Sequence, residues 1–140
     1  MIVAACMPIS QYEAWTHQLT PASWNIATPW KLIILDKKAN LVASMSLQFT
    51  DEKADSCVGG DWKRVKVSDF RSTDEYFFPG NEHLSYEVTG KAIFIGRNEI
   101  CDAYLTLVGE IKPQSVSGVY RSEGLSYGEV LGHFYAVPLR

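Results

Sequence analysis

Leu41-Val42-Ala43-Ser44-Met45-Ser46-Leu47-Gln48-Phe49 puts an apolar side chain at every odd position and a polar one at 44, 46 and 48. Side chains of an extended strand point alternately to opposite faces, so this pattern reads as a strand with one face buried and one facing water. Upstream, Trp30 to Asp36 is a second extended run, and Lys37-Lys38-Ala39-Asn40 between them has the length of a hairpin loop. Downstream, Thr50 to Gly60 is charged, ends in a double glycine and reads as loop.

The same period continues to the C-terminus. Strands are expected at 30–36, 41–49, 61–68, 84–89, 91–97, 102–111, 115–121 and 129–138. Turn residues lie between them at Gly90-Lys91, Asn98-Glu99, Pro113-Gln114 and Gly124 to Gly128. Short strands at regular spacing with turn residues between them predict a mostly β chain whose eight antiparallel strands form a small barrel or a sandwich. Before Trp30 the period changes. Ser10 with Glu13 forms a capping box, and Tyr12, Trp15 and Leu19 recur at helical spacing, which predicts a short helix over 9–19. Pro21 and Pro29 keep the rest of that segment irregular. A length of 140 residues suits one domain with one core, residues 1–29 packing on the barrel as a helical and irregular segment. In the last strand, Val130, Phe134 and Ala136 oppose Leu131, Tyr135 and Val137, so both faces are apolar. The outer one then calls for a cover, either the N-terminal helix or the partner subunit of a homodimer.

Composition narrows the function classes. Thirteen basic against sixteen acidic residues give a net charge of -3, which argues against nucleic acid, whose binding draws on phosphate neutralisation. No run of apolar residues is long enough for a membrane-spanning helix. Val3-Ala4-Ala5-Cys6 matches the residues before a lipidated cysteine, but no charged and long apolar stretch precedes it, so a cytoplasmic location is expected. Cys6, Cys57 and Cys101 are an odd number without a C-x-x-C pair. Reduced thiols are favoured, with a bridge between Cys57 and Cys101 as the alternative.

Catalytic and metal signatures are missing from the sequence. His17, His83 and His133 have no metal-ligand spacing, and neither metal nor cofactor is expected. Asp51-Glu52 and Asp74-Glu75 fall in loops where solvated acids are the default, and Gly59-Gly60 lacks the Lys-Ser or Lys-Thr of a phosphate loop. The most informative surface is 61–67. With Val65 and Val67 inward, Trp62, Arg64 and Lys66 share the outer face, an aromatic beside two cations that could anchor a partner protein or an anionic ligand. The alternative puts Trp62 in the core. Tyr76-Phe77-Phe78, at the tip of the following loop, either joins that surface or packs down as a plug.

Leu107-x-Gly109, Ser117-Gly118-x-Tyr120 and Gly132-x-Phe134-x-Ala136 resemble the closing hairpins of lipocalin-like, calycin-type barrels, where glycines relieve crowding between bent strands. Gly60-Asp61-Trp62 is similar to the Gly-x-Trp signature of lipocalins, whose tryptophan lies on the first strand and plugs one barrel end. The resemblance implies a closed or nearly closed barrel with room for an internal cavity, and no particular ligand. The leading expectation is a non-catalytic binding protein that recognises another protein, such as a toxin-neutralising immunity protein or an inhibitor. The alternative is a carrier of a small apolar ligand, with Tyr104, Tyr120, His133 and Tyr135 as the candidate polar groups. An enzyme with a site inside the barrel is the third reading.

Overall fold

Alternating side chains over so many short segments need a surface that closes, because an open sheet leaves two edges of unpaired backbone. A computed structural model describes residues 26–56, 59–73, 84–97, 104–124 and 128–139, the side chains of Arg97 and Tyr104 excepted. Eight strands follow in order: β1 (Trp30–Asp36), β2 (Leu41–Lys53), β3 (Lys63–Ser72), β4 (Leu84–Thr89), β5 (Ala92–Arg97), β6 (Tyr104–Lys112), β7 (Ser115–Glu123) and β8 (Gly128–Pro138). Each pairs antiparallel with the next, and β8 returns to β1, closing the barrel. The closing register runs from Trp30 opposite Pro138 to Asp36 opposite Gly132. Barrel is therefore the outcome, and sandwich is excluded. The helix expected over 9–19 lies outside the described residues, as do Cys57, Cys101, His17, His83 and Tyr76-Phe77-Phe78.

The interior is built in cross-strand rows. Ile93, Gly109, Gly118, Phe134, Ile34 and Ala43 follow one another in register around the wall. Ile111, Val116, Ala136, Leu32 and Met45 form the next row. All but the glycines belong to the buried core, and Leu32, Ile34, Met45, Ile93 and Phe134 have no exposed surface. The two opposed glycines make room for Phe134, because a Cβ on Gly109 would stand 2.5 Å from its Cζ. On Gly118 a Cβ would collide with the Val108 carbonyl oxygen, and on Gly132 with that of Leu35. The crowding expected at these glycines is present.

Strand ends differ from expectation in instructive ways. β2 runs to Lys53 where a loop was expected from Thr50. Beyond an irregularity after Phe49 its backbone pairs again, Lys53 opposite Lys63, and Asp51 Oδ1 takes the Lys63 ammonium at 2.7 Å. Conversely, β3 begins at Lys63, so Asp61 and Trp62 belong to the connection, and the strand runs on to Ser72 past a bulge at Asp69, whose φ is 49°. Smaller shifts affect β5, β6, β7 and β8, where turn sequences bound the strands only to within a residue or two.

The outer face of β8 is less covered than its doubly apolar sequence suggests. Tyr135 and Val137 face outward and each remains 49% exposed, beside Ile33 and Lys31 of β1. Chain ahead of β1 does reach the barrel. Ile26 packs on the core, the Gln48 side-chain amide donates to its carbonyl, and Leu139 N–H donates to the Pro29 carbonyl at 2.8 Å.

Candidate functional site

The outward side chains of β4 to β7 form a groove roofed by the connection between β2 and β3. Glu87, Phe94 and Val108 follow in register across β4, β5 and β6, alternating with core residues Tyr86, Ile95 and Leu107. Thr106 lies one pleat along β6, and Glu123 ends β7. Trp62 and Gly59 complete the lining of a space of about 360 Å³.

Local bonds hold the roof. Ala54 N–H donates to the Trp62 carbonyl at 2.9 Å, closing the connection at its base. Asp61 N–H donates to Glu87 Oε2 at 2.6 Å, tying it to β4. That carboxylate comes so close to Gly60, at φ +132°, that any side chain there would strike it. The indole N–H of Trp62 turns back to the Gly59 carbonyl at 3.4 Å. In Gly60-Asp61-Trp62, then, the glycine admits the Glu87 carboxylate and the tryptophan covers a groove outside the barrel. The tryptophan of the first strand is Trp30, 3% exposed, its ring edge-on to Phe49 at 6.2 Å. Phe49 in turn meets Tyr86 at 4.9 Å.

Polar groups in the groove are mostly acceptors. Glu123 Oε1 accepts from Arg121 Nε at 2.8 Å, and Thr106 Oγ1 donates to the Ile95 carbonyl at 3.2 Å. Neither lysine nor arginine is among the lining residues. Ser85, opposite Gly96 on the same outer side, is fully buried, and its hydroxyl has no hydrogen-bond partner among the described residues. At the end of β3, hydrogen bonding to Asp51 raises the Lys63 pKa above its usual 10.5, and burial raises that of Tyr86, whose hydroxyl donates to the Thr50 carbonyl at 2.7 Å.

The expected partner surface is placed as follows. Val65 is buried, while Val67, opposite Leu47, is 36% exposed. Arg64 and Lys66 are exposed on the outer face of β3, without an ion pair among the described residues, and Trp62 is half-buried just ahead of them. Trp62 is thus absent from the barrel core. The residues named for a carrier are not brought together. Tyr120 lies inside the barrel, 5% exposed, whereas His133 and Tyr135 point outward, and only the backbone of Tyr104 is described. Tyr120 pairs with inward-facing Gly132, and the alternation along β8 turns His133 and Tyr135 to the opposite face of the wall. His133 stands between Leu35 and Val119 in register, its imidazole without a hydrogen bond among the described residues. Among the described residues no group of His, Cys, Asp and Glu is placed to hold a metal ion, and no helix is long and apolar enough to cross a membrane.

Glu87, Phe94, Val108 and Glu123 had gone unnoticed in the sequence. Part of the signal was there, since a two-residue turn at Gly90-Lys91 sets Glu87 opposite Phe94. Adding Val108 to that pair needed the β5–β6 register, which the longer connection through Asn98-Glu99 does not fix.

Comparison with known proteins found no family model, no curated protein and no solved structure that matches this chain. The architecture, eight antiparallel strands in chain order closing on themselves, is consistent with a calycin-like barrel.

Proposed function

We propose that this chain is a non-catalytic binding protein that recognises another protein through the outside of its barrel, in the manner of an immunity protein or a small inhibitor. The observation that carries this reading is the surface around Trp62. A half-buried indole roofs a groove floored by Phe94 and Val108, and the exposed cations Arg64 and Lys66 follow it on β3. Aromatic groups beside charges at the edge of a concave surface are the usual anchors of protein interfaces. Cytoplasmic action fits the reduced cysteines expected there.

The test is capture from native extract by the full chain and by Trp62→Ala/Arg64→Ala. A polypeptide retained by the wild type and lost by the variant, at an unchanged melting temperature, supports the proposal. Equal retention by both overturns it. If the variant unfolds, Arg64→Ala/Lys66→Ala, which alters only exposed side chains, replaces it under the same criterion.

The carrier of an apolar ligand is the second reading, favoured by the closed eight-strand barrel. It calls for a lined internal space, and the described interior rows carry packed apolar side chains. Thermal stabilisation by lipids or small aromatics would bring this reading to the front.

A further inference from the structure

Trp62 and Phe94 offer two aromatic rings in one groove, and among the described residues the charged groups lining it are the carboxylates of Glu87 and Glu123. Both carboxylates are held in place. The Asp61 amide fixes Glu87 through Oε2, and Arg121 fixes Glu123 through Oε1. An amide brings no charge, so this contact leaves the Glu87 carboxylate without a countercharge at the mouth of an aromatic slot. The pair of Arg121 with Glu123 already joins a guanidinium to a carboxylate at the rim.

Such a combination selects among side chains. An anion would meet the Glu87 carboxylate, Glu123 being already paired with Arg121, and a purely apolar group would leave Glu87 desolvated without compensation. A planar cation satisfies both demands, since guanidinium stacks on aromatic faces and donates in pairs to carboxylate. We infer that the groove between Trp62, Phe94 and Glu87 receives an arginine side chain projecting from a partner polypeptide. This rests on the protein-binding reading above and names the chemistry that the partner presents. The surface is then two-signed: the partner's arginine enters beside Glu87, and its acidic groups face Arg64 and Lys66.

The probe is N-acetyl-arginine amide, with N-acetyl-citrulline amide as its neutral isostere, followed by two-dimensional NMR of the full chain. The Trp62 indole signal is assigned by its loss in Trp62→Phe. The arginine compound is expected to shift the Trp62 indole and the amides of Gly59, Glu87 and Thr106, and to bind at least about tenfold more tightly than citrulline. Glu87→Gln, which keeps an acceptor for the Asp61 amide, is expected to remove that preference and leave the spectrum folded. Equal binding of the two compounds, shifts confined to other residues, or an unchanged preference in Glu87→Gln would each overturn the inference. The two proposals fail separately. If a captured partner is lost by Trp62→Ala/Arg64→Ala but kept by Glu87→Gln, the protein-binding reading stands and the arginine does not. Arginine binding in a protein that captures no partner gives the converse.

Discussion

Phe134 shows how one side chain decides the choice of several others. Its ring is fully buried where β6, β7 and β8 come together, and it can be there because residues 109 and 118 bring no side chain into the same row. Gly118→Ala would force a Cβ onto the Val108 carbonyl, backbone that cannot step aside as a flexible side chain would. The expected cost is about 3 kcal/mol, the upper part of the range for overpacking a close-packed interior. Gly59→Ala meets no atom within 4 Å and is expected to change stability by less than about 0.5 kcal/mol. Urea unfolding of both variants checks this, and an unperturbed midpoint in Gly118→Ala would mean that the strands do not cross so closely. At the same scale, Gly60 is called for by its φ of +132°, which L side chains rarely adopt, and the Glu87 carboxylate lies where a Cβ would stand.

Among the elements, the β1–β2 hairpin shows how much a turn depends on one acid. Asp36 Oδ1 accepts from the amides of Lys38 and Asn40, each at 2.9 Å, and Oδ2 accepts from the Asn40 side chain at 3.3 Å. These bonds hold Ala39 at φ 63°, a left-handed conformation that an alanine does not favour. The Asn40 amide foremost, with the Asn40 side chain and the Lys38 amide, lowers the Asp36 pKa from its usual 3.8. A carboxyl lowered on folding contributes stability that is complete above its unfolded pKa and is lost as pH falls through the folded value. Asp36→Ala is therefore expected to melt below wild type at neutral pH, with the gap narrowing as pH drops below about 4. Melting temperatures measured across that range test the idea, and a gap independent of pH would sink it. The hairpin itself was legible in the sequence, since alternation on both sides of Lys37 to Asn40 left only the turn to be explained. The length of β2 was not. Asp51-Glu52-Lys53 has the composition of a loop, and it is strand because β3 supplies a partner and Lys63 an ion pair.

For the molecule as a whole, closure is uneven. Among the described residues, β6 and β7 pair without a break from Tyr104–Glu123 to Lys112–Ser115, whereas β3 meets β4 at Lys63–Tyr86, Arg64–Ser85 and Val65–Leu84. Past Val65, β3 stays on β2 alone among the described strands, and Val67 opens to solvent there. Local opening is expected at this seam first. Amide hydrogen exchange should show Lys66 to Ser72 exchanging through openings of lower free energy than the β6 and β7 amides. Equal protection around the wall would show that the seam is sealed. Trp62, Arg64 and Lys66 stand beside the pairing that is shortest among the described residues.

A sequence that alternates apolar and polar residues determines which side of a strand is buried, and here that was enough for eight antiparallel strands, their turns and the inward face of β2. It left Trp62 open between the core and an outer face shared with Arg64 and Lys66. Closure into a barrel, and the groove that Trp62 covers, were decided by tertiary structure. Alternation specifies a face but not a neighbour. Two-residue turns such as Gly90-Lys91 and Pro113-Gln114 align their strands, whereas longer connections and the β1–β8 seam leave the register to packing around the whole wall, where Phe134 needs Gly109 and Gly118 to meet it at one level. That register brings Val108 into the row of Glu87 and Phe94, and it sets Tyr120 beside Gly132, so that His133 faces the other side of the wall.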